Sequence, residues 1–120
     1  MAENTAAMLI LLTNGKSQNL TLTSAKITGS SSASKLDLPP TLTQGTFGGY
    51  GTPASTTPYQ ATWSYSPDGG ATLLTFTCSL SGSRGIQIVP SKTGPAAGNW
   101  VLSEEPRLDR DAWLIRFYYA

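Results

Sequence analysis

A chain of 120 residues with a formal net charge of +1 is long enough for one domain with its own core, expected to span residues 1–120. Only 12% of the residues are charged, against about a quarter in ordinary globular chains, and no clustered basic excess marks a nucleic-acid partner. The chain has no histidine and a single cysteine, Cys78. Ser-His-Asp and Cys-His machinery, an internal disulfide and the usual zinc or iron sites are thereby excluded, so no metal, no cofactor and no catalytic residues are expected.

Residues 6–12 (AAMLILL) form a short apolar run closed by Asn14-Gly15, which reads as a strand buried on both faces. The run lacks the basic flank of an export signal and is too short to cross a bilayer as a helix. Synthesis in the cytoplasm is therefore expected, the product staying there, being released or associating with a membrane. Residues 19–28 are expected to return as the second arm of a hairpin. Leu20 and Leu22 lie on one face, Ala25 and Ile27 on the other, and the phase change at Thr23-Ser24 marks a bulge. After a polar loop at 29–35, Leu36, Leu38 and Leu42 surround Pro39-Pro40 in an extended, edge-type segment.

Residues 44–58 (QGTFGGYGTPASTTP) are the most irregular stretch, with four glycines around Phe47 and Tyr50. Two readings fit: a mobile connection whose aromatics pack down on the fold, or a recognition loop presenting rings on a hydrogen-bonding backbone.

The clearest organisation follows over residues 61–90. Trp63 and Tyr65 alternate with hydroxyl residues, Pro67-Asp68-Gly69-Gly70 supplies a hairpin turn, and Leu74, Phe76, Cys78 and Leu80 alternate with Thr75, Thr77 and Ser79. A second turn at 81–85 leads to Ile86-Gln87-Ile88-Val89, expected to end at Pro90. This predicts a three-strand meander with an apolar row inside and hydroxyls outside. Cys78, on the apolar row, reads as a small core hydrophobe.

Residues 91–98 read as a loop, 99–102 as a short strand, and 104–111 (EEPRLDRD) as a solvated turn with local ion pairs. Arginines interleaved with Glu104, Glu105, Asp109 and Asp111 disfavour a general acid there. Residues 112–119 alternate again, with Trp113, Ile115, Phe117 and Tyr119 on one face and Leu114, Arg116 and Tyr118 on the other. So apolar a strand must be inserted between partners or covered. No sustained helical periodicity occurs. The expectation is an all-β, single-domain antiparallel β-sandwich of about seven or eight short strands.

The order T-W-S-Y-S-P-D-G-G, then L-L-T-F-T-C, then S-G-S-R, over Trp63 to Arg84, resembles the middle of the aegerolysins, small β-sandwich proteins of fungi and bacteria. The apolar first strand and its successor, Met8 to Ile27, are similar too. Cys78-Ser79-Leu80-Ser81-Gly82 departs from that family, whose aromatic-proline-tryptophan-glycine run is missing after the cysteine. Actinoporin-type cytolysins are a looser comparison. The resemblance implies recognition of membrane lipids of sphingolipid or sterol type, as a cytolysin-like toxin working with a pore-forming partner protein.

Three functions stay open on the residues: a membrane-lipid binding module, a lectin-like carbohydrate-binding protein, and a self-assembling structural protein forming a homo-oligomer. For the first two, the candidate ligand-binding residues are Phe47, Tyr50 and Tyr59 of the glycine-rich region, with Asn99 and Trp100 on another loop. Interfacial or sugar-stacking rings of this kind are expected to be exposed, so alanine at Tyr50 or Trp100 is expected to weaken binding and spare stability.

Overall fold

The alternation over residues 61–90 folds as its pattern requires. In the computed structural model, which describes residues 5–29, 36–52, 57–81, 85–110 and 112–120, three consecutive strands pair antiparallel. They are β5 (Tyr59–Ser66), β6 (Leu73–Ser81) and β7 (Gly85–Thr93). Trp63 faces Phe76 across one pair, and Thr62 faces Thr77 on the opposite side. The turn between β5 and β6 places Gly69 at φ 72° and Gly70 at φ 106°, a backbone region that L side chains rarely adopt. β7 runs past Pro90, which pairs with Phe76, instead of stopping there. It is the outermost strand of its sheet, the position in which a strand tolerates a proline.

The described residues hold nine strands, more than the seven or eight expected. The others are β1 (Ala7–Asn14), β2 (Leu20–Thr28), β3 (Thr41–Leu42), β4 (Gly45–Thr52), β8 (Leu102–Asp109) and β9 (Ala112–Tyr119). They form a four-stranded sheet in the order β4-β1-β9-β8 and a five-stranded sheet in the order β3-β2-β5-β6-β7. The expected hairpin of the first two strands does not form: the 15–19 connection carries the chain from one sheet to the other. The expectation of a purely antiparallel fold also needs correction, because β1 and β9 run parallel, Ile10 opposite Ile115. A parallel pair needs a long crossover, and here nearly the whole chain lies between them.

The bulge sits where the phase changes, between Leu22 and Ser24. Its extra residue restores the facing, so Ala25 and Ile27 turn to the same core as Leu20 and Leu22 and not to the opposite side. Two further segments are strands where loops were expected. Residues 45–52 pair with β1 as β4, and the charged stretch 102–109 pairs with β9 as β8, an outermost strand on which charges and Pro106 discourage further pairing. The loop expected at 91–98 lies at 94–101 instead, because β7 takes in 91–93, and residues 97–99 within it form a 3-10 turn instead of opening a strand.

One core joins the two sheets. Met8, Ile10 and Leu12 from β1 and Ile115, Phe117 and Tyr119 from β9 pack against Trp63, Tyr65, Leu74, Phe76, Cys78 and Leu80. β9 is inserted between β1 and β8, as an apolar strand must be. Its rings interlock with the facing sheet: Trp63 meets Phe117 edge-on at 4.8 Å, and Phe76 meets Phe117 at 4.8 Å and Tyr119 at 5.4 Å. The Trp63 indole N–H donates to the Tyr119 hydroxyl at 2.9 Å, a bond between the layers made out of water.

Cys78 is buried on that row, and burial, with the Glu104 carboxylate adding to it, pushes its thiol far above the usual range. The native protein should therefore alkylate slowly and the denatured protein at the rate of a free thiol. Equal labelling rates in the two states would show Cys78 to be open to solvent.

Candidate functional site

The residues singled out for binding do not come together. Tyr59 is buried: its hydroxyl donates to the Ala6 carbonyl at 2.9 Å and, having one proton, accepts from the Thr52 hydroxyl at 2.6 Å. Burial raises its pKa. Trp100 is 1% exposed, with the Lys16 ammonium 4.7 Å above its ring and the Lys92 ammonium donating to its carbonyl at 2.8 Å. The expectation that these two rings reach out of the fold does not hold; both belong to the buried core. Asn99 is exposed, and its carbonyl accepts from Lys16. Phe47 is half-buried against the core. Tyr50 lies on β4 opposite Ile10, and its side chain falls outside the described residues.

The turn after β5 is built to hold itself. The Asp68 carboxylate accepts from the Ser66 hydroxyl at 2.9 Å and from the Thr72 backbone N–H and hydroxyl, each at 2.7 Å. The Thr72 hydroxyl in turn accepts from the Ala96 N–H at 2.9 Å, tying the turn to the 94–100 segment. These bonds, the Thr72 side chain first, lower the Asp68 pKa. A lowered carboxylate pKa contributes stability above its unfolded value, and that contribution is lost as pH falls through the folded one. Asp68→Asn should therefore lower the melting temperature at neutral pH, and the gap to the parent should close in acid. A gap that stays constant with pH would assign the effect to something other than ionisation.

Among the described residues, one surface feature that can hold a ligand is the outer face of the four-stranded sheet. A groove of about 580 Å³ opens there, within the range of about 300–1,000 Å³ usual for small-molecule sites. Period-2 geometry makes it. With Met8, Ile10 and Leu12 turned inward, Leu9 and Leu11 of β1 turn outward, and Leu9 is 46% exposed. Leu114 of β9 stands directly beside Leu9 in register, completing an apolar floor.

The two flanks differ. On the β4 side the chain offers glycine: a Cβ on Gly48 would lie 2.2 Å from the end of the Leu11 side chain and displace it from its place across the strand. On the β8 side stand charges, with Glu105 opposite Arg116 and Arg107 opposite Leu114. The acids of this stretch do not share one face. Glu104 pairs with Phe117 on the inward row, Glu105 and Asp109 turn outward, and Asp111 lies outside the described residues. Among the described residues no group of three or more potential metal ligands gathers, and no helix is long and apolar enough to cross a membrane.

Two signals for this groove were present in the sequence. The run at residues 6–12 is apolar on both of its faces, and the outer row of the last strand holds Leu114 and Arg116. The first reads as wholly buried, whereas Leu9 on one of its two faces is exposed.

The outer face of the five-stranded sheet contrasts with it. Gln60, Thr62, Ser64, Thr75, Thr77 and Ser79 lie there in cross-strand register, with Ser64 and Thr75 hydrogen-bonded at 2.7 Å. The two outer faces thus differ sharply in character, one hydroxyl-covered and one apolar with a charged flank. No protein-family model matches the chain and no curated protein matches it, so the functional reading rests on these two faces.

Proposed function

We propose that the protein is a non-enzymatic β-sandwich module that recognises membrane lipid through the outer face of the four-stranded sheet. The observation that carries this is the groove, whose floor of exposed Leu9 and half-buried Leu11 and Leu114 lies beside Arg107, Arg116 and Glu105. Exposed apolar surface flanked by charge suits an amphipathic ligand, with its chain on the leucines and its polar head toward the β8 side. The likeness of residues 63–84 to the aegerolysins points to the same class of ligand, and its sphingolipid or sterol preference and pore-forming partner belong to this proposal. The lectin reading has less behind it, because Tyr59 and Trp100, two of the rings that would stack on sugars, are buried.

Sedimentation with vesicles of phosphatidylcholine, sphingomyelin and sterol tests the reading. The parent protein should pellet with vesicles. Leu114→Asp, which puts a charge on the groove floor, should reduce pelleting by at least about tenfold, as the loss of a buried apolar contact implies. Thr77→Asp on the opposite face should leave it unchanged. Failure of the parent to pellet, with binding on a glycan array or a defined oligomer in light scattering, would replace this function with the lectin or the structural one.

A further inference from the structure

The charges on the groove narrow the ligand further, if the lipid-binding reading above holds. Three charged side chains line it: Arg107, Arg116 and Glu105. In the two-strand grid Arg116 stands opposite Glu105, and Arg107 stands opposite Leu114, so the arginines are diagonal neighbours across β8 and β9. Diagonal positions on one sheet face lie about 7–8 Å apart, within reach of long side chains converging on one group. Two positive charges and one negative leave the lining with a net charge of +1. Arg107 has no carboxylate directly opposite it, and both arginines border the leucine floor, Arg107 beside Leu114 and Arg116 beside Leu11.

We propose that the groove binds one single-chain amphiphile with a monoanionic head, a fatty-acid carboxylate. Its chain lies along Leu9, Leu11 and Leu114, and its carboxylate accepts from Arg107 and Arg116. A neutral head leaves the excess positive charge unmatched, whereas one carboxylate balances it and matches the planar guanidinium fork. The volume suits a single chain.

Titration calorimetry with decanoate below its micelle concentration tests this, with 1-decanol as the neutral probe and octanoate for chain length. Decanoate should bind one to one and more tightly than 1-decanol by roughly tenfold. Affinity should rise by up to roughly fourfold for each added methylene. Arg107→Gln and Arg116→Gln should each weaken decanoate by roughly fivefold and leave 1-decanol unchanged. Both positions are exposed, so these variants should melt with the parent, which confirms that the fold is kept. Equal binding of decanoate and 1-decanol overturns the proposal, and so does indifference to both arginine substitutions. Vesicle pelleting without decanoate binding also overturns it and leaves the lipid-recognition function standing; loss of both removes the two together.

Discussion

Trp63→Ala is expected to destabilise the protein by about 3–5 kcal/mol, the range for deleting a large buried aromatic side chain. The side chain is wholly buried, meets Phe76 and Phe117, and donates the hydrogen bond that links the sheets through Tyr119. Its loss opens a cavity between the layers and leaves a deeply buried hydroxyl short of a donor. Domains have only about 5–15 kcal/mol in total, so the variant should melt roughly 10–20 °C below its parent or fail to fold. Trp63→Phe keeps most of the packing and removes the N–H, and should cost about 1–3 kcal/mol. Denaturant melts of the three proteins check both steps. A change under about 1 kcal/mol for Trp63→Ala would mean that the two sheets do not share this core.

Trp100→Ala should be nearly as damaging, at about 3–5 kcal/mol, although its surroundings in sequence are those of a surface loop. The ring is buried under Lys16, and the backbone around it is fastened by the Lys92 bond and by the pairing of Val101 with Ala120. Lys16→Ala separates the two contributions. It removes the cation above the ring, worth about 0.5–1 kcal/mol at a site of this kind, while the ring still fills its space. If Trp100→Ala melts with the parent, the ring is exposed in solution and returns as a candidate for ligand contact.

What was legible in the sequence was local. The 61–90 meander announces itself because its turn residues and its period-2 rows are adjacent along the chain, and Leu74 to Leu80 face inward as they alternate. The insertion of the last strand follows from the same logic, since no strand with Ile115, Phe117 and Tyr119 on one row can stand uncovered.

What was not legible depends on partners distant in sequence. Residues 45–52 carry too few side chains to show any alternation and are a strand because β1 offers them a ladder, Ile10 to Tyr50 and Leu12 to Phe47. The charges at 104–109 look like those of a solvated turn, but an outermost strand tolerates them equally well. Burial of Tyr59 is fixed by Thr52 and Ala6, and nothing in its own neighbourhood reveals that. The groove was hidden for the opposite reason. A run apolar on both faces reads as doubly buried, and only the assembled sheet shows that Leu9, on the outer face, is exposed.

The central claim, that this outer face is where the protein meets its ligand, is tested most directly by backbone amide shift mapping. The ¹⁵N-labelled protein would be titrated with decanoate and, separately, with small phospholipid-detergent bicelles. The account predicts shifts concentrated at Leu9, Leu11, Leu114, Arg116 and Arg107, with the amides of Thr62, Thr77 and Ser79 on the other sheet unmoved. Shifts clustered on that hydroxyl-covered face, or no shifts with either titrant, would contradict it.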